Sequence, residues 1–304
     1  MSPFNAIPIF VAVADNAGFS SAARALGISK SAVSQRITQL EDLLGARLFH
    51  RTTRKLSLTE AGERYYQYAA QANRIAQQAE DAVGELQGEA KGLLKIQLPM
   101  TLGQMHIAPL IPTFLKRYPL VQVDLVMDDR PINLVEQGYD LALRAGELPD
   151  SNLIARSLVP LRSAVCVSPE FYQRYKKQLE SPPQLAEVNC IIYSYSGNSD
   201  VWQFNANNGE EHKIKVAGNY RVNNSAALCD AIIAGIGAGR LPTFVAGGAI
   251  RKGELVALFL DYEMPSKTLY AVYPERNYLP EKVRVFLEFI GEILGDGLAP
   301  WDDF

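Results

Sequence analysis

The sequence predicts a multidomain α+β chain: a winged helix-turn-helix head, one long helix, and a C-terminal two-lobed α/β region. Three observations predict it. The 304 residues are 48% hydrophobic and 21% charged, an ordinary globular composition that allows two or three domains at about 150 residues each. Charge is distributed unevenly. The whole chain carries −3, yet residues 1–58 hold seven Lys and Arg against three acids, the pattern of a polyanion-binding module joined to something else. The hydrophobic period also changes along the chain, from short helices to a seven-residue stripe, then to apolar strands alternating with amphipathic helices.

Phe4, Ile7, Phe10/Val11 and Ala14 recur at helical spacing, with Asn5 as the expected N-cap and Pro8 in the first turn, where its missing N–H costs little. After Gly18, two short helices follow. Ser20 or Ser21 opens the first, Gly27 breaks it, and Ser29 caps the second. Small Ala23 lets the pair approach, Gly27 tolerates the positive φ of the turn, and Ile28, Val33, Ile37 and Leu40 fill the shared core. This spacing is a helix-turn-helix cue. Lys30, Ser31, Ser34, Gln35 and Arg36 then stand near the start of the second helix, and short polar or basic side chains there suit the major groove.

Next, Arg51-Thr52-Thr53-Arg54-Lys55 precedes an alternating stretch ending at Leu58, which reads as a two-stranded wing carrying phosphate ligands. The candidate DNA contacts are therefore Ser20, Lys30, Ser31, Ser34, Gln35 and Arg36 on the helices, with Arg51, Thr52 and Arg54 in the wing. From Thr59, an N-cap, to Gln87 the chain reads as one helix about 42 Å long. Tyr65, Tyr68/Ala69, Ala72, Ile75/Ala76, Ala79, Ala82/Val83 and Leu86 form a stripe with a seven-residue period, which suits a two-helix coil between subunits. Two heads held in step would read half-sites about 34 Å apart, or multiples of that, on a dyad-symmetric operator.

The run Phe19-Ser-Ser-Ala-Ala-Arg-Ala-Leu-Gly27, Ala32-Val33-Ser34, Ile37, Leu40-Glu41, Leu44-Gly45, Leu48-Phe49, Arg51-Thr52-Thr53-Arg54 and Leu58-Thr59-Glu60-Ala61-Gly62 resembles the LysR-type transcriptional regulators. Further on, the segments 128–158 and 223–242 resemble that family's effector-binding domain, so the likeness covers nearly the whole chain. Lys30-Ser31 stand where members often have Gln-Pro, a departure that leaves the helix intact. The resemblance implies a cytoplasmic repressor or activator, commonly tetrameric. It implies a periplasmic-binding-protein-like domain that takes a small effector between two lobes. The domain division is then 1–58 for the head, 59–88 for the linker (dimerisation) helix and 89–304 for the effector domain. Within the last, lobe I comprises 93–162 and 267–304, and lobe II comprises 163–266.

In that domain the pattern predicts strands at Leu93–Leu98, Val121–Met127, Asp140–Arg144, Ser163–Val167, Cys190–Tyr193, Lys213–Tyr220 and Lys267–Tyr273. It predicts helices near Gly103–Tyr118, Ile132–Gln137, Pro169–Lys177, Ala226–Ala234 and Glu281–Leu294. Ligands of open α/β sheets collect beyond strand C-termini and between lobes. The candidate effector contacts are Met100, Thr101, Leu102, Asp128, Arg144, Ser194 and Tyr195. Thr101 heads a helix and suits an anion, or serves as N-cap. Arg144 suits a carboxylate, or an inter-lobe ion pair.

Other chemistries fit poorly. Gly235-Ile-Gly-Ala-Gly239 with Asp261 invites a nicotinamide-dependent oxidoreductase, but a dinucleotide motif opens a helix, whereas this run ends one. His50, His106 and His212 are far apart, so no metal, catalytic centre or cofactor is expected. A two-lobed solute-binding protein without DNA affinity would leave the basic head unexplained. Three isolated cysteines, Cys166, Cys190 and Cys229, fit a reducing compartment. No apolar run approaches a bilayer span, and Ala6–Ala14 lacks the basic flank of a signal peptide. The expected partners are double-stranded DNA, a small-molecule effector of unknown identity, and further copies of the chain.

Overall fold

The computed structural model describes residues 3–51, 56–85, 89–130, 132–146, 148, 152–194, 199–274, 279–295 and 299–304. They fall in two compact units, Met1–Lys91 with Ile132–Gly138, and Gly92–Pro131 with Tyr139–Phe304.

In the first unit, α1 (Ile7–Asp15), α2 (Phe19–Ala25) and α3 (Lys30–Leu44) are followed by the antiparallel strands β1 (Phe49–Arg51) and β2 (Leu56–Leu58), then by α4 (Glu60–Glu85). Phe10, Val13, Ala22, Val33, Ile37, Leu40 and Leu48 are almost wholly buried and form one core, against which Tyr65 and Tyr66 of α4 pack. The helix-turn-helix forms as the sequence predicts. Gly27 takes φ +64° at the corner, and the Ser29 hydroxyl accepts from the Ala32 N–H at 3.2 Å.

Three local expectations are corrected. Asn5 is not the cap of α1. A 3-10 turn, Pro3–Ala6, leads into the helix, and Ala6 occupies the cap position without a side-chain bond. Neither Ser20 nor Ser21 opens α2; Gly18 does, and the Ser21 hydroxyl turns back to the Gly18 and Asn16 carbonyls. Ile28 is 41% exposed and Phe4 73% exposed, so neither fills the core.

Two features of the head escape a pattern reading. Glu41 is 2% exposed, accepts from the Leu48 and Phe49 backbone N–H groups at 2.8 and 3.2 Å, and pairs with Arg47 at 2.9 Å. One carboxylate thus ties the recognition helix to the first wing strand. Gly62, in the first turn of α4, lies against the same strand entry, and a Cβ there would overlap the Leu48 carbonyl oxygen. Thr59 caps α4 by accepting from Gly62 N–H at 3.0 Å.

The second unit opens with β3 (Gly92–Leu98) and a helical run that passes from α5 (Met100–Leu102) through π and 3-10 turns into α6 (Ile111–Arg117). It continues through β4 (Val121–Met127), α7 (Leu134–Gln137, grouped with the first unit), β5 (Leu141–Ala145) and β6 (Leu153–Leu161). The chain then enters β7 (Ser163–Val167), α8 (Pro169–Arg174), β8 (Cys190–Tyr193), β9 (Val201–Ala206), β10 (Glu211–Lys215), β11 (Tyr220–Val222), α9 (Ser225–Ile233), β12 (Ala238–Pro242), α10 (Thr243–Arg251), β13 (Val256–Leu258) and β14 (Tyr262–Glu263). It closes with β15 (Lys267–Pro274) and α11 (Glu281–Leu294).

Two five-stranded sheets result, β4-β3-β5-β15-β6 in lobe I and β11-β8-β12-β7-β13 in lobe II, with a small sheet β10-β9-β14 beside the latter. The single strand expected at Lys213–Tyr220 is two, β10 and β11, which belong to different sheets. The buried face of α11, with Val283, Phe286 and Ile290, covers the lobe I sheet, and Lys282 in its first turn is buried too, its ammonium donating to the Leu93 carbonyl at 2.7 Å.

Removing the Glu41 carboxylate leaves two buried N–H groups unpaired, at about 1–3 kcal/mol each. Glu41→Ala should therefore destabilise the head by about 2–6 kcal/mol, and Gly62→Ala should also loosen it, by steric overlap. Hydrogen exchange at the Leu48 and Phe49 amides in the full chain checks this; wild-type protection in Glu41→Ala would remove the carboxylate from the account.

Candidate DNA-binding and effector sites

In α3 the residues that face inward, Val33, Ile37 and Leu40, leave Lys30, Ser31 and Gln35 exposed on the opposite side of the first turns, with Ser34 and Arg36 half-buried. Ser31 shares a hydrogen bond with Ser29 at 2.9 Å, which fixes its hydroxyl beside the cap. Ser20 is exposed on α2. In the wing, Arg51 pairs in register with Leu56; Thr52 and Arg54 lie outside the described residues. Polar and basic groups at a helix start beside a two-stranded ribbon match the geometry of a reading head on duplex DNA.

Between the two lobes of the second unit lies a cavity of about 360 Å³, near the small end of the range of about 300–1,000 Å³ for small-molecule sites. Of the expected contacts, Thr101, Leu102, Asp128 and Arg144 line it. Met100 and Ser194 do not. Met100 is 38% exposed, and Ser194 is exposed with its N–H donated to Val222. Tyr195 lies outside the described residues. Pro99, rather than Thr101, occupies the cap position of α5.

The opposite wall was not legible. It comes from lobe II and the crossover strands: Arg162 and Ser163, Ile191 and Tyr193, Trp202, Ser225, Arg240, Phe244 and Lys267. Arg240 had a signal, a lone cation inside an apolar run, but it sat in the glycine-rich stretch read as a helix end.

The electrostatics of this cavity are lopsided. Arg130 clamps Asp128 with its guanidinium at 2.6–3.1 Å and its own N–H at 2.9 Å, which holds the carboxyl near 2. Asp129 accepts the Met100 N–H at 3.0 Å, and Arg162 pairs with buried Asp302 at 3.2 Å. Burial pushes the Arg144 and Arg240 guanidiniums below their ordinary value.

Two family models match the chain. The one described as "Bacterial regulatory helix-turn-helix protein, lysR family" covers residues 4–63, and "LysR substrate binding domain" covers residues 87–295. The chain belongs to the LysR family of transcriptional regulators. It is 34% identical over 291 residues to the HTH-type transcriptional regulator PtxR of Pseudomonas aeruginosa, covering 96% of this chain and 93% of that one. Among solved structures it is similar to CrgA, a LysR-type transcriptional regulator from Neisseria meningitidis, at 32% identity and a TM-score of 0.61, covering 96% and 99% of the two chains. It is also similar to the full-length Vibrio cholerae virulence activator AphB, at 26% identity and a TM-score of 0.59, covering 95% and 98%.

In this LysR-type chain the glycine run 235–239 links α9 to β12, with Gly235 just past the helix end at φ +74°, so it follows a helix rather than opening one. Behind the cavity, a C-terminal segment rests on both lobes. The Trp301 ring lies 4.6 Å from His106 of lobe I and 6.1 Å from Phe244 of lobe II, and His106 Nε2 bonds the Phe244 carbonyl at 2.7 Å. Burial pushes His106 below the usual histidine range.

The folded chain thus disfavours the imidazolium that the unfolded chain accepts below about pH 6.5. Stability should fall as pH drops through that value towards the lowered native one. Thermal unfolding of the full chain compared between about pH 7 and pH 5 reads this, and His106→Gln should flatten the dependence. An unchanged pH slope in that variant would assign the effect elsewhere.

Proposed function

We propose that this regulator works in the cytoplasm as a homodimer joined through α4, reading a dyad-symmetric operator with two helix-turn-helix heads and answering to a small molecule in the inter-lobe cavity. The observation that carries the DNA half of this reading is the start of α3, where Lys30, Ser31 and Gln35 are exposed while the apolar residues of the same turns are buried. The division into head, linker helix and effector domain at 1–58, 59–88 and 89–304 belongs to the same proposal.

The dimer is supported by the outer part of the α4 stripe. Tyr65 and Ala69 are covered by the head, but Tyr68 is 74% and Ile75 57% exposed, and Ala76 and Ala79 are exposed with them. A helix that repeats apolar residues every seven positions buries them against a second such helix. The cavity supports the effector half, because groups from both lobes converge on it. A ligand touching both lobes has unequal affinity for their arrangements, and that inequality is what moves the equilibrium. Pairing by effector-domain surfaces into a tetramer is the assembly that family likeness suggests.

Selection of bound fragments from random duplex DNA by the purified chain tests the reading. The expected result is an inverted repeat whose half-sites lie one helical turn or a multiple apart; recovery of no preferred sequence at low salt would overturn it. Arg51→Ala and Arg54→Ala should weaken binding to all sequences and reduce the salt slope by about 0.9 for each phosphate no longer neutralised. Gln35→Ala and Ser34→Ala should instead relax sequence preference with the salt slope kept. An unchanged slope in both arginine variants would take the wing out of the interface. Sedimentation of Ile75→Lys separates the dimer proposal from the DNA proposal: a dimer that survives this charge was not held by the α4 stripe.

A further inference from the structure

We infer that the inter-lobe cavity is built for a small organic dianion with an apolar body, gripped by Arg144 from one lobe and Arg240 from the other. This rests on the effector reading of the cavity and deepens it by naming the ligand class.

The argument begins with which charges are already spent. Asp128 is taken by Arg130, Arg162 by Asp302, and Asp129 accepts a backbone N–H. What remains facing the cavity is Arg144, Arg240 and Lys267. Among the described residues none of these three forms an ion pair. Arg144 donates one long bond, 3.4 Å, to the Arg130 carbonyl, and Arg240 donates one at 3.0 Å to the Pro265 carbonyl. A guanidinium has five N–H donors in a planar fork. Each arginine therefore keeps most of its donors for something the described residues do not supply. Both are partly withdrawn from water; Arg144 feels only Asp128, which Arg130 already clamps, and no described carboxylate pairs with Arg240, an arrangement that an incoming anion would stabilise.

Three cations against the one carboxylate of Asp129 leave a surplus that a single negative charge does not balance. The rest of the wall is mixed: Thr101, Ser163, Ser199 and Ser225 are hydroxyl residues, and Leu102, Ile191 and Trp202 are almost wholly buried apolar side chains that reach the cavity. The apolar part of the wall matches a hydrocarbon or aromatic body. A volume of about 360 Å³ lies near the small end of small-molecule sites, which suits a compact ligand.

The placement of the two arginines also supplies the switch. Arg144 is on β5 of the lobe I sheet and Arg240 on β12 of the lobe II sheet. With no anion between them, two like charges oppose approach of the walls; with a dianion between them, both are drawn inward. The ligand then binds the closed arrangement more tightly than the open one, which is the condition for a population shift.

Thermal shift and titration calorimetry of the full-length chain test this with phthalate, phenyl phosphate, benzoate, succinate and the uncharged phthalamide, each at millimolar concentration. Phthalate or phenyl phosphate should raise the melting temperature, the two arms separating a dicarboxylate from a phosphate ester, with benzoate and succinate weaker and phthalamide without effect. Arg144→Gln and Arg240→Gln should each weaken the better dianion by roughly ten- to a hundredfold, and Arg117→Gln, an exposed cation paired with Glu292 away from the cavity, should leave it unchanged. Phthalamide stabilising as well as phthalate, no dianion binding at millimolar concentration, or full affinity in both arginine variants would each overturn the proposal. The comparison of phthalate with phthalamide needs no variant, so it stands even if an arginine variant fails to fold. A neutral ligand that binds the wild-type chain but not Ser225→Trp would sink the dianion while keeping the cavity as effector site.

Discussion

The second unit depends on how the chain crosses between its lobes. It leaves lobe I at Leu161 and enters lobe II at Ser163, with Arg162 alone between, and it returns by Pro265 to Lys267. The outgoing and returning strands stay paired, Lys267 opposite Leu161, so the two crossings form one short ribbon. Lobe II holds that ribbon on both sides: the Thr243 N–H and hydroxyl donate to the Arg162 carbonyl, and Arg240 donates to the Pro265 carbonyl. Away from this ribbon the lobes also meet where His106 and Trp301 contact Phe244. Leu161, Arg162, Ser163 and Lys267 all line the cavity, so the proposed effector would lie against the crossing itself.

Much of this architecture was legible because local chemistry decided it. In the head, Ser29, Gly27, Val33, Ile37 and Leu40 carry their roles in their side chains and spacing, and the structure places them as the pattern predicts. Glu41 was not legible, since a glutamate on a helix ordinarily faces water; only the return of Leu48 and Phe49 makes burial of its carboxylate favourable. The N-terminal cap was misread for a related reason. Asn5 is a good capping residue in the abstract, but the 3-10 turn at Pro3–Ala6 carries the chain into α1 without needing one.

In the α/β unit the misses follow from residues that mean different things at edges and in interiors. β6 contains Pro160, which reads as a strand breaker, yet β6 is an edge strand of its sheet, where a missing N–H is tolerated. α10 contains Gly247 and Gly248, which lower its helix propensity. At Gly247 a Cβ would stand 2.3 Å from the Trp301 carbonyl oxygen, so close packing of the C-terminal segment outweighs propensity. Arg240 was missed in the same region because nothing local shows that its side chain lines the inter-lobe cavity. Four lining residues, Thr101, Leu102, Asp128 and Arg144, were therefore readable from lobe I, and the lobe II wall follows from how the chain crosses.

The remaining question is where a signal enters. The three cysteines are poor entry points: burial pushes Cys166 and Cys190 up to about 12 and Cys229 to about 11, and thiolate, the reactive form, is then scarce at neutral pH. The cavity arginines are the contrary case, charged groups left in a place where charge is costly. A fold that sought only stability would pair them or replace them, since a partly buried cation without a partner lowers stability. Under the proposed dianion reading, that cost, placed beside the crossing, is what a bound anion would relieve. A hundredfold preference for one arrangement corresponds to about 2.7 kcal/mol, a scale that a few charge-assisted hydrogen bonds supply. The coupling therefore needs no large rearrangement of either lobe's core, only two rigid sheets, a ribbon that lets them turn, and like charges held where turning brings them together.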